Sequence, residues 1–367
     1  MSVWVASHPA RAAEPVVFIS AFSSGEKGAI HAFRFETQTG ELTPLRRTTD
    51  LQNPFFLAVS PNGKFLYAID AKQFGGKEKE NVAAYAIEGR DGHLKRLNQQ
   101  STHGTASCYL DVDQTGKTVV VANYSTGNVA ALPVKADGSL DQAVTVIQHE
   151  GSSVNPQRQK GPYAHSIVVS PDNRFALAAD LGIDKVLIYQ LDPKTAQLTP
   201  NISQASASLP PGSGPRHLTF HPNAKRVYVI NELTNTVTFF DYAPDTGKLT
   251  TRQTISTLPE DFSGTSYCAD LKITPDGNYL YGTNRGHDSI AMYRIADDGT
   301  LELIGIEPSL GKGPQNLLIT PDGKWLLCAN MPGDNVVVFS VNPKTGQLTA
   351  KGKPISMPKP SCIRWLP

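Results

Sequence analysis

The chain has 367 residues, with 34 Lys plus Arg against 33 Asp plus Glu and a net charge of +1; that balance argues against nucleic acid as a partner, which needs a basic face. Hydrophobic residues make up 40%, enough for a sizeable core, but apolar runs such as residues 16–21 are far too short to span a bilayer. The 30 glycines and 27 prolines follow no collagen period, so they mean many turns between short apolar runs, which favours an all-β chain.

In chain order, the first residues, Met1 to Ala13, read MSVWVASHPARAA. Ala10-Arg11-Ala12 fits a small-residue cleavage pattern, while the charged and apolar regions of a full signal peptide are missing. Residues 1–13 are expected to be either the tail of a signal peptide or a disordered leader, outside the fold in both cases. The protein is exported or periplasmic in the first case and cytoplasmic in the second. Residues 14–367 are expected to form one domain. The first strand-like run is Val16-Val17-Phe18-Ile19-Ser20. Lys77-Glu78-Lys79-Glu80, after Gly75-Gly76, reads as a solvated hairpin extension. Residues 148–164 form a long loop carrying Arg158, Lys160 and Tyr163; it reads as solvated, with Arg158 and Lys160 placed to hold a phosphate if it closes over a site. Cys108, Cys268, Cys328 and Cys362 show no zinc or redox spacing and are expected to be small buried hydrophobes.

A repeat organises the rest. A polar residue, then Gly-x-Leu, recurs as Thr39 to Leu42, Asp91 to Leu94, Asp137 to Leu140, Thr246 to Leu249, Asp298 to Leu301 and Thr345 to Leu348, with Thr195-Ala196-Gln197-Leu198 as the variant fourth copy. The seven leucines are 46 to 58 residues apart. A second unit is an apolar run ending in a turn such as Ser60-Pro61-Asn62-Gly63 or Thr320-Pro321-Asp322-Gly323. Its proline position recurs at Pro61, Gln114, Pro171, Pro222, Pro275 and Pro321, and the seventh copy is the C-terminus, Cys362 to Pro367. That copy stops where its next strand should begin, and the missing strand stands at the N-terminal end of the chain. Four short strands per unit make a propeller blade, and an open ring would leave unpaired edges. The expected fold is an all-β, seven-bladed β-propeller closed by pairing of the C-terminal strand with N-terminal strands.

Counting from each proline finds the channel-facing positions. Six residues earlier stand Phe55, Cys108, His165, Arg216, Ala269, Gln315 and Ser361. Nine residues later stand Asp70, Asn123, Asp180, Asn231, Asn284 and Asn330, and one further on Ala71, Tyr124, Leu181, Glu232, Arg285 and Met331. The repeated Asn/Asp suits backbone capping. His165, Arg216, Glu232 and Arg285 are the charged exceptions, clustered in blades three to five, and are the catalytic candidates. Their neighbours His217, Asn231, Asn284 and Gln315, with Arg158 and Lys160 of the long loop, are the substrate-binding candidates. His103, His287 and Asp288 read as solvated loop residues. A purely structural role for the four charges, as a channel salt-bridge network pairing Glu232 with Arg216 or Arg285, is the competing account.

These residues sit in Ala164-His165-Ser166, Gly214-Pro215-Arg216-His217-Leu218, Asn231-Glu232-Leu233 and Asn284-Arg285-Gly286-His287-Asp288-Ser289-Ile290. In these stretches, and in the repeat after the leader, the chain resembles the lactonase family of seven-bladed propellers. That family contains the bacterial propeller-type 6-phosphogluconolactonase and the fungal carboxymuconate cyclase. The resemblance implies His165, Arg216, Glu232 and Arg285 as the active-site set. Family members often carry Pro-Arg before the sixth inner strand, where this chain has Pro314-Gln315, so an anion-binding role at that position is not carried over.

Three functions are open: a lactone hydrolase of sugar-acid metabolism, a lactonising cycloisomerase acting on a muconate-like tricarboxylate, and a non-catalytic binding propeller. The four charges disfavour the third, and the hydrolase is preferred. Lactone opening needs a base for water, which a His or Glu provides, and a guanidinium for the oxyanion or a substrate anion. No GxSxG, HExxH or Gly-rich phosphate loop is present, so no metal or cofactor is expected. The expected partner is a small-molecule lactone or sugar acid, with no nucleic acid, no membrane span and a monomeric chain. Replacing His165 or Glu232 is expected to lower turnover with little change in fold stability.

Overall fold

The computed structural model describes residues 15–366; the expected leader at residues 1–13 lies outside them. Seven antiparallel sheets follow one another around a channel. Blade one holds Leu57–Val59, Phe65–Asp70, Asn81–Glu88 and His93–Ser101, and blade two Ser107–Val112, Thr118–Asn123, Asn128–Pro133 and Thr145–Gln148. Blade three holds Ala164–Val169, Phe175–Asp180, Lys185–Asp192 and Gln197–Pro200, with Ser206–Ser208 added against its third strand. Blade four runs from Pro215–Phe220 to Lys248–Ser256, blade five from Tyr267–Ile273 to Leu301–Pro308, and blade six from Pro314–Ile319 to Leu348–Ser356. Blade seven joins the two ends of the chain. Pro360–Leu366 pairs with Val16–Ala21, with Val16 opposite Leu366 and Ile19 opposite Ile363. The seven-bladed, end-to-end closed propeller read from the split repeat is the fold. No helix among the described residues is long and apolar enough to cross a membrane.

Both repeat units have a physical reason. In Thr320-Pro321-Asp322-Gly323 the Thr320 hydroxyl donates to Asp322 Oδ1 at 2.6 Å and the Lys324 N–H donates to the same oxygen at 3.1 Å, an Asx turn that reverses the chain between the first two strands. The Gly-x-Leu turn of one blade packs on the second strand of the blade before it. Gly138, at φ +86°, lies where a Cβ would meet the Phe65 ring at 2.1 Å, and its carbonyl accepts from the Tyr67 hydroxyl at 3.1 Å. Gly346 and Tyr281 repeat this contact one blade from closure, at 2.8 Å. The glycine therefore supplies a left-handed turn and a close approach together, and the leucine two residues on is buried in all seven copies.

The channel-facing ring is built by β-bulges. The register between first and second strands slips between Ser107 and Tyr109, Ala164 and Ser166, Pro215 and His217, Cys268 and Leu271, and Pro314 and Asn316. In blade seven it slips opposite Ser361. The residues left out of the ladder are Cys108, His165, Arg216, Ala269 with Asp270, Gln315 and Ser361. All but Asp270 are positions found by counting back from the prolines; the blade-one position, Phe55, lies just before its strand instead. A bulge re-aims the extra side chain, and here it is re-aimed into the channel. Deeper in, Phe56 and Tyr109 of blades one and two meet at 4.2 Å, Tyr109 meets His217 of blade four at 4.9 Å, and the Arg364 guanidinium lies over Phe56 at 4.5 Å. Side chains from opposed blades thus fill the channel and give the site a floor.

Two expectations need correction. Glu80 is not part of a solvated run: it is buried, and its carboxylate accepts the N–H groups of Gly75, in its own loop, and of Ala106 and Ser107, in the connection to blade two. The loop at residues 148–164 is not loosely solvated either. His149 is buried between Asp180, at 2.6 Å, and the Tyr189 hydroxyl, at 2.9 Å. Gln159 is buried and donates to Leu181 O and Asp184 Oδ1, both at 2.8 Å. The four cysteines are buried and free, as read from their spacing.

Candidate active site

At one mouth of the channel lies a cavity of about 310 Å³. Its charged wall is made of His165 from blade three, Arg216 and Glu232 from blade four, Arg285 from blade five, and Arg158 from the pinned loop. Phe22, Phe55, Phe74 and Met331 form an apolar wall; the three rings stand 5.0 Å apart as mutual edge and stacked pairs. A larger groove of about 630 Å³ beside Asp172, Arg174 and Gln190 is walled by turn and outer-strand residues and gathers no buried charge.

Glu232 is the centre of the charged wall. It is 4% exposed and touches three guanidiniums: Arg158 Nη2 at 2.5 Å, Arg285 Nη2 at 2.9 Å and Arg216 Nε at 3.0 Å. Burial alone would raise its pKa, but Arg285, Arg216 and Arg158 outweigh burial and hold the carboxyl at about 2. Arg216, 1% exposed, pushes the other way: burial and then the neighbouring Arg285 lower it to about 10, which leaves it a cation at neutral pH. Three positive charges face one negative charge, so the wall has two positive charges to spare. It suits an anion or an oxyanion that presents several acceptor oxygens.

His165 adds an uncharged imidazole to this wall. Burial first, then Arg216 and His217, keep its pKa well below 6.5, so the ring is neutral at physiological pH. Its Nε2 lies 3.9 Å from Glu232 Oε2 and its Nδ1 3.6 Å from Cys108 Sγ. Burial raises the Cys108 thiol far above its ordinary value, so it is a protonated neighbour and not a nucleophile. His217 works behind this wall. Its Nε2 is 3.1 Å from Arg216 Nη1 and its Nδ1 2.9 Å from Asp270 Oδ1. Arginine has no acceptor, so Nε2 must present its lone pair and Nδ1 carries the proton toward Asp270. His217 is therefore neutral, in agreement with the lowering to about 3 caused by burial and then Arg216. Lys272 Nζ closes the chain on Asp270 at 2.8 Å. Arg216 is held from three sides, its Nη1 also donating to Ala269 O at 2.5 Å.

The structure brings together the four catalytic candidates and adds Arg158 and Gln315 from the substrate-binding set. Four other members of that set do not line the cavity. Lys160 is exposed, because burial of Gln159 turns its successor outward. Asn231 donates to the Thr236 and Thr238 hydroxyls at 2.9 Å. Asn284 is taken up by Thr257 and Ser289, and His217 by Arg216 and Asp270. Sequence reading placed Phe55, Tyr124 and Met331 on the channel ring without giving them a role, and it missed Phe22 and Phe74; Tyr124 stacks on Tyr163 at 4.8 Å and lies 3.5 Å from Arg158 Nη2. Tyr124 stands in blade two at the repeat position that Glu232 and Arg285 hold in blades four and five. Among the described residues no group of three or more His, Cys, Asp or Glu side chains is placed to hold a metal ion.

A closed seven-bladed propeller with one buried cluster of arginines, a carboxylate and a histidine at its channel mouth defines a narrow class of protein. The chain belongs to the lactonase family of seven-bladed β-propellers, whose model matches residues 16–365. It is 34% identical over 350 residues to the 6-phosphogluconolactonase of Bacillus subtilis strain 168, covering 95% of this chain and 97% of that one. It is 33% identical over 338 residues to the 6-phosphogluconolactonase of Formosa agariphila, covering 90% and 94%. Among solved structures, the periplasmic gluconolactonase of Pseudomonas aeruginosa superposes with a TM-score of 0.90 at 31% identity, covering 96% of this chain and 99% of that one.

Proposed function

We propose that the protein hydrolyses a sugar-acid lactone of the 6-phosphogluconolactone type in this cavity. The observation that carries the reading is a neutral histidine beside a cluster of guanidiniums with positive charge in excess. His165 takes a proton from water as the water oxygen bonds to the lactone carbonyl carbon. The negative charge that develops on the carbonyl oxygen faces Arg285, Arg216 and Arg158, groups held in place before reaction by Glu232. The ring C–O bond then breaks, and the departing alkoxide takes the proton back from the His165 imidazolium. The product is an open hydroxy acid. Glu232, held near pKa 2, is a weak base; its part is to fix the three arginines. The step needs no metal.

The test is a rate assay with 6-phosphogluconolactone, unphosphorylated aldonolactones and a carboxymuconate. Enzyme-dependent opening of an aldonolactone, lost in His165→Ala, supports the proposal. Lactonisation of the carboxymuconate with no opening of any aldonolactone overturns it. In product titrations, Arg158→Lys, Arg216→Lys and Arg285→Lys should each weaken binding by on the order of 1–2 kcal/mol, the worth of a charge-assisted hydrogen bond.

A further inference from the structure

Gln315 is the cavity residue whose chemistry the hydrolysis scheme leaves unused. It is the bulge residue of blade six, set between Pro314, which pairs with Asn330, and Asn316, which pairs with Ala329. Both flanks are fixed further: Asn316 Nδ2 donates to Asp270 Oδ2 at 2.7 Å, and Asn316 Oδ1 accepts from the Ile363 N–H at 2.8 Å. The Gln315 side chain thus springs from a rigid point. It is 3% exposed and lines the cavity.

Its amide has no partner. Oε1 is buried without a hydrogen bond, and no described residue accepts from Nε2. Of the described residues with a buried, unpartnered side-chain nitrogen or oxygen, Gln315 is the one that lines the cavity. Phe55, Cys108 and Met331, uncharged members of the lining, offer no strong donor or acceptor. The cavity's arginines are turned to Glu232, Ala269 O and Cys268 O. A buried amide left unmet is costly, and this one is left unmet where a ligand enters.

We infer that Gln315 is a specificity-determining residue that reads a hydroxyl group of the substrate, opposite in character to the anion-seeking arginine wall. An amide presents an acceptor and donors on one edge, and a hydroxyl both gives and takes a hydrogen bond. An ionised carboxylate or phosphate has no proton for Oε1. The substrate class is therefore a polyhydroxylated lactone, with a hydroxyl at blade six and its C–H surface against the phenylalanines. This assignment rests on the lactonase reading of the same cavity. A site that hydrogen-bonds a substrate hydroxyl discriminates strongly against the analogue that lacks it.

The experiment compares wild type with Gln315→Met, which keeps length and removes both polar atoms. The readout is the ratio of kcat/KM for D-glucono-1,5-lactone, and for its 6-phosphate, to that for δ-valerolactone, which has no hydroxyls. The ratio should fall about tenfold or more in the variant, mostly through KM, with a melting temperature no lower than that of wild type. An unaltered ratio, whatever happens to the separate rates, overturns the assignment and leaves the lactonase reading standing. If wild type opens none of the lactones, the lactonase reading falls. Gln315 is then judged by titration with gluconate: weaker binding by the variant supports it, and equal binding or none by either protein overturns it.

Discussion

Glu232→Gln removes one negative charge and keeps the shape of the side chain. In the wild type the carboxylate is buried among Arg158, Arg216 and Arg285, and its pKa falls from 4.5 to about 2. A fall of about 2.5 units corresponds to about 3 kcal/mol favouring the ionised form in the folded protein. Loss of one partner from a buried charge network costs about 3–5 kcal/mol by general experience, so the two scales agree. For a chain of this length, about 3 kcal/mol lowers the melting temperature by about 4 °C. This replaces the expectation that stability would hardly change. The sign with pH follows from linkage. The folded pKa is depressed, so the wild-type advantage is full above pH 4.5 and disappears as pH falls from there through about 2. Phosphate should raise the melting temperature of the variant more than that of wild type, because the three guanidiniums then carry one more uncompensated positive charge toward the cavity. Thermal melting across pH, with and without phosphate, is the assay. A variant melting within about 1 °C of wild type and responding equally to phosphate would refute the counter-ion role.

Three further outcomes are expected. His165→Ala should lower turnover by about two orders of magnitude or more; since the base must be neutral and its pKa lies well below 6.5, the acid limb of wild-type kcat/KM should lie well below pH 6.5. Gly138→Ala, which would force a Cβ to 2.1 Å from the Phe65 ring at a φ of +86°, should cost on the order of 2–4 kcal/mol in denaturant unfolding; a loss under about 0.5 kcal/mol would be against the close-approach account of the repeat. Deleting residues 360–367 uncovers the edge of Val16–Ala21 and should lower the melting temperature by well over 2 °C.

The blade count, the closure and the channel ring were legible because a repeat gives every position a phase. Counting from Pro222 reaches Arg216 and Glu232 in the same way that counting from Pro275 reaches Arg285. What lay outside the phase was not legible. Arg158 comes from a connection between blades, and its direction is set by its neighbour Gln159 bonding to Asp184, 25 residues on. The same anchor sends Lys160 to solvent. His217 and Asp270 are 53 residues apart, and only the proximity of adjacent blades pairs them. Asn231 and Asn284 stand one residue before Glu232 and Arg285 and face their own hairpins, because one step along a strand reverses the side chain. Phe22 and Phe74 belong to loops where sequence gives no direction at all.

The bulges that set the ring also separate chemistry from architecture. A residue that stands outside the ladder contributes no cross-strand pair, so exchanging its side chain leaves strand register untouched. His165, Arg216 and Gln315 occupy such places, as do the uncharged Cys108, Ala269 and Ser361. The channel mouth is thus a set of sockets in a fixed frame. In the six blades that carry a bulge, the side chain at that place can therefore change while the strands beside it keep their pairing.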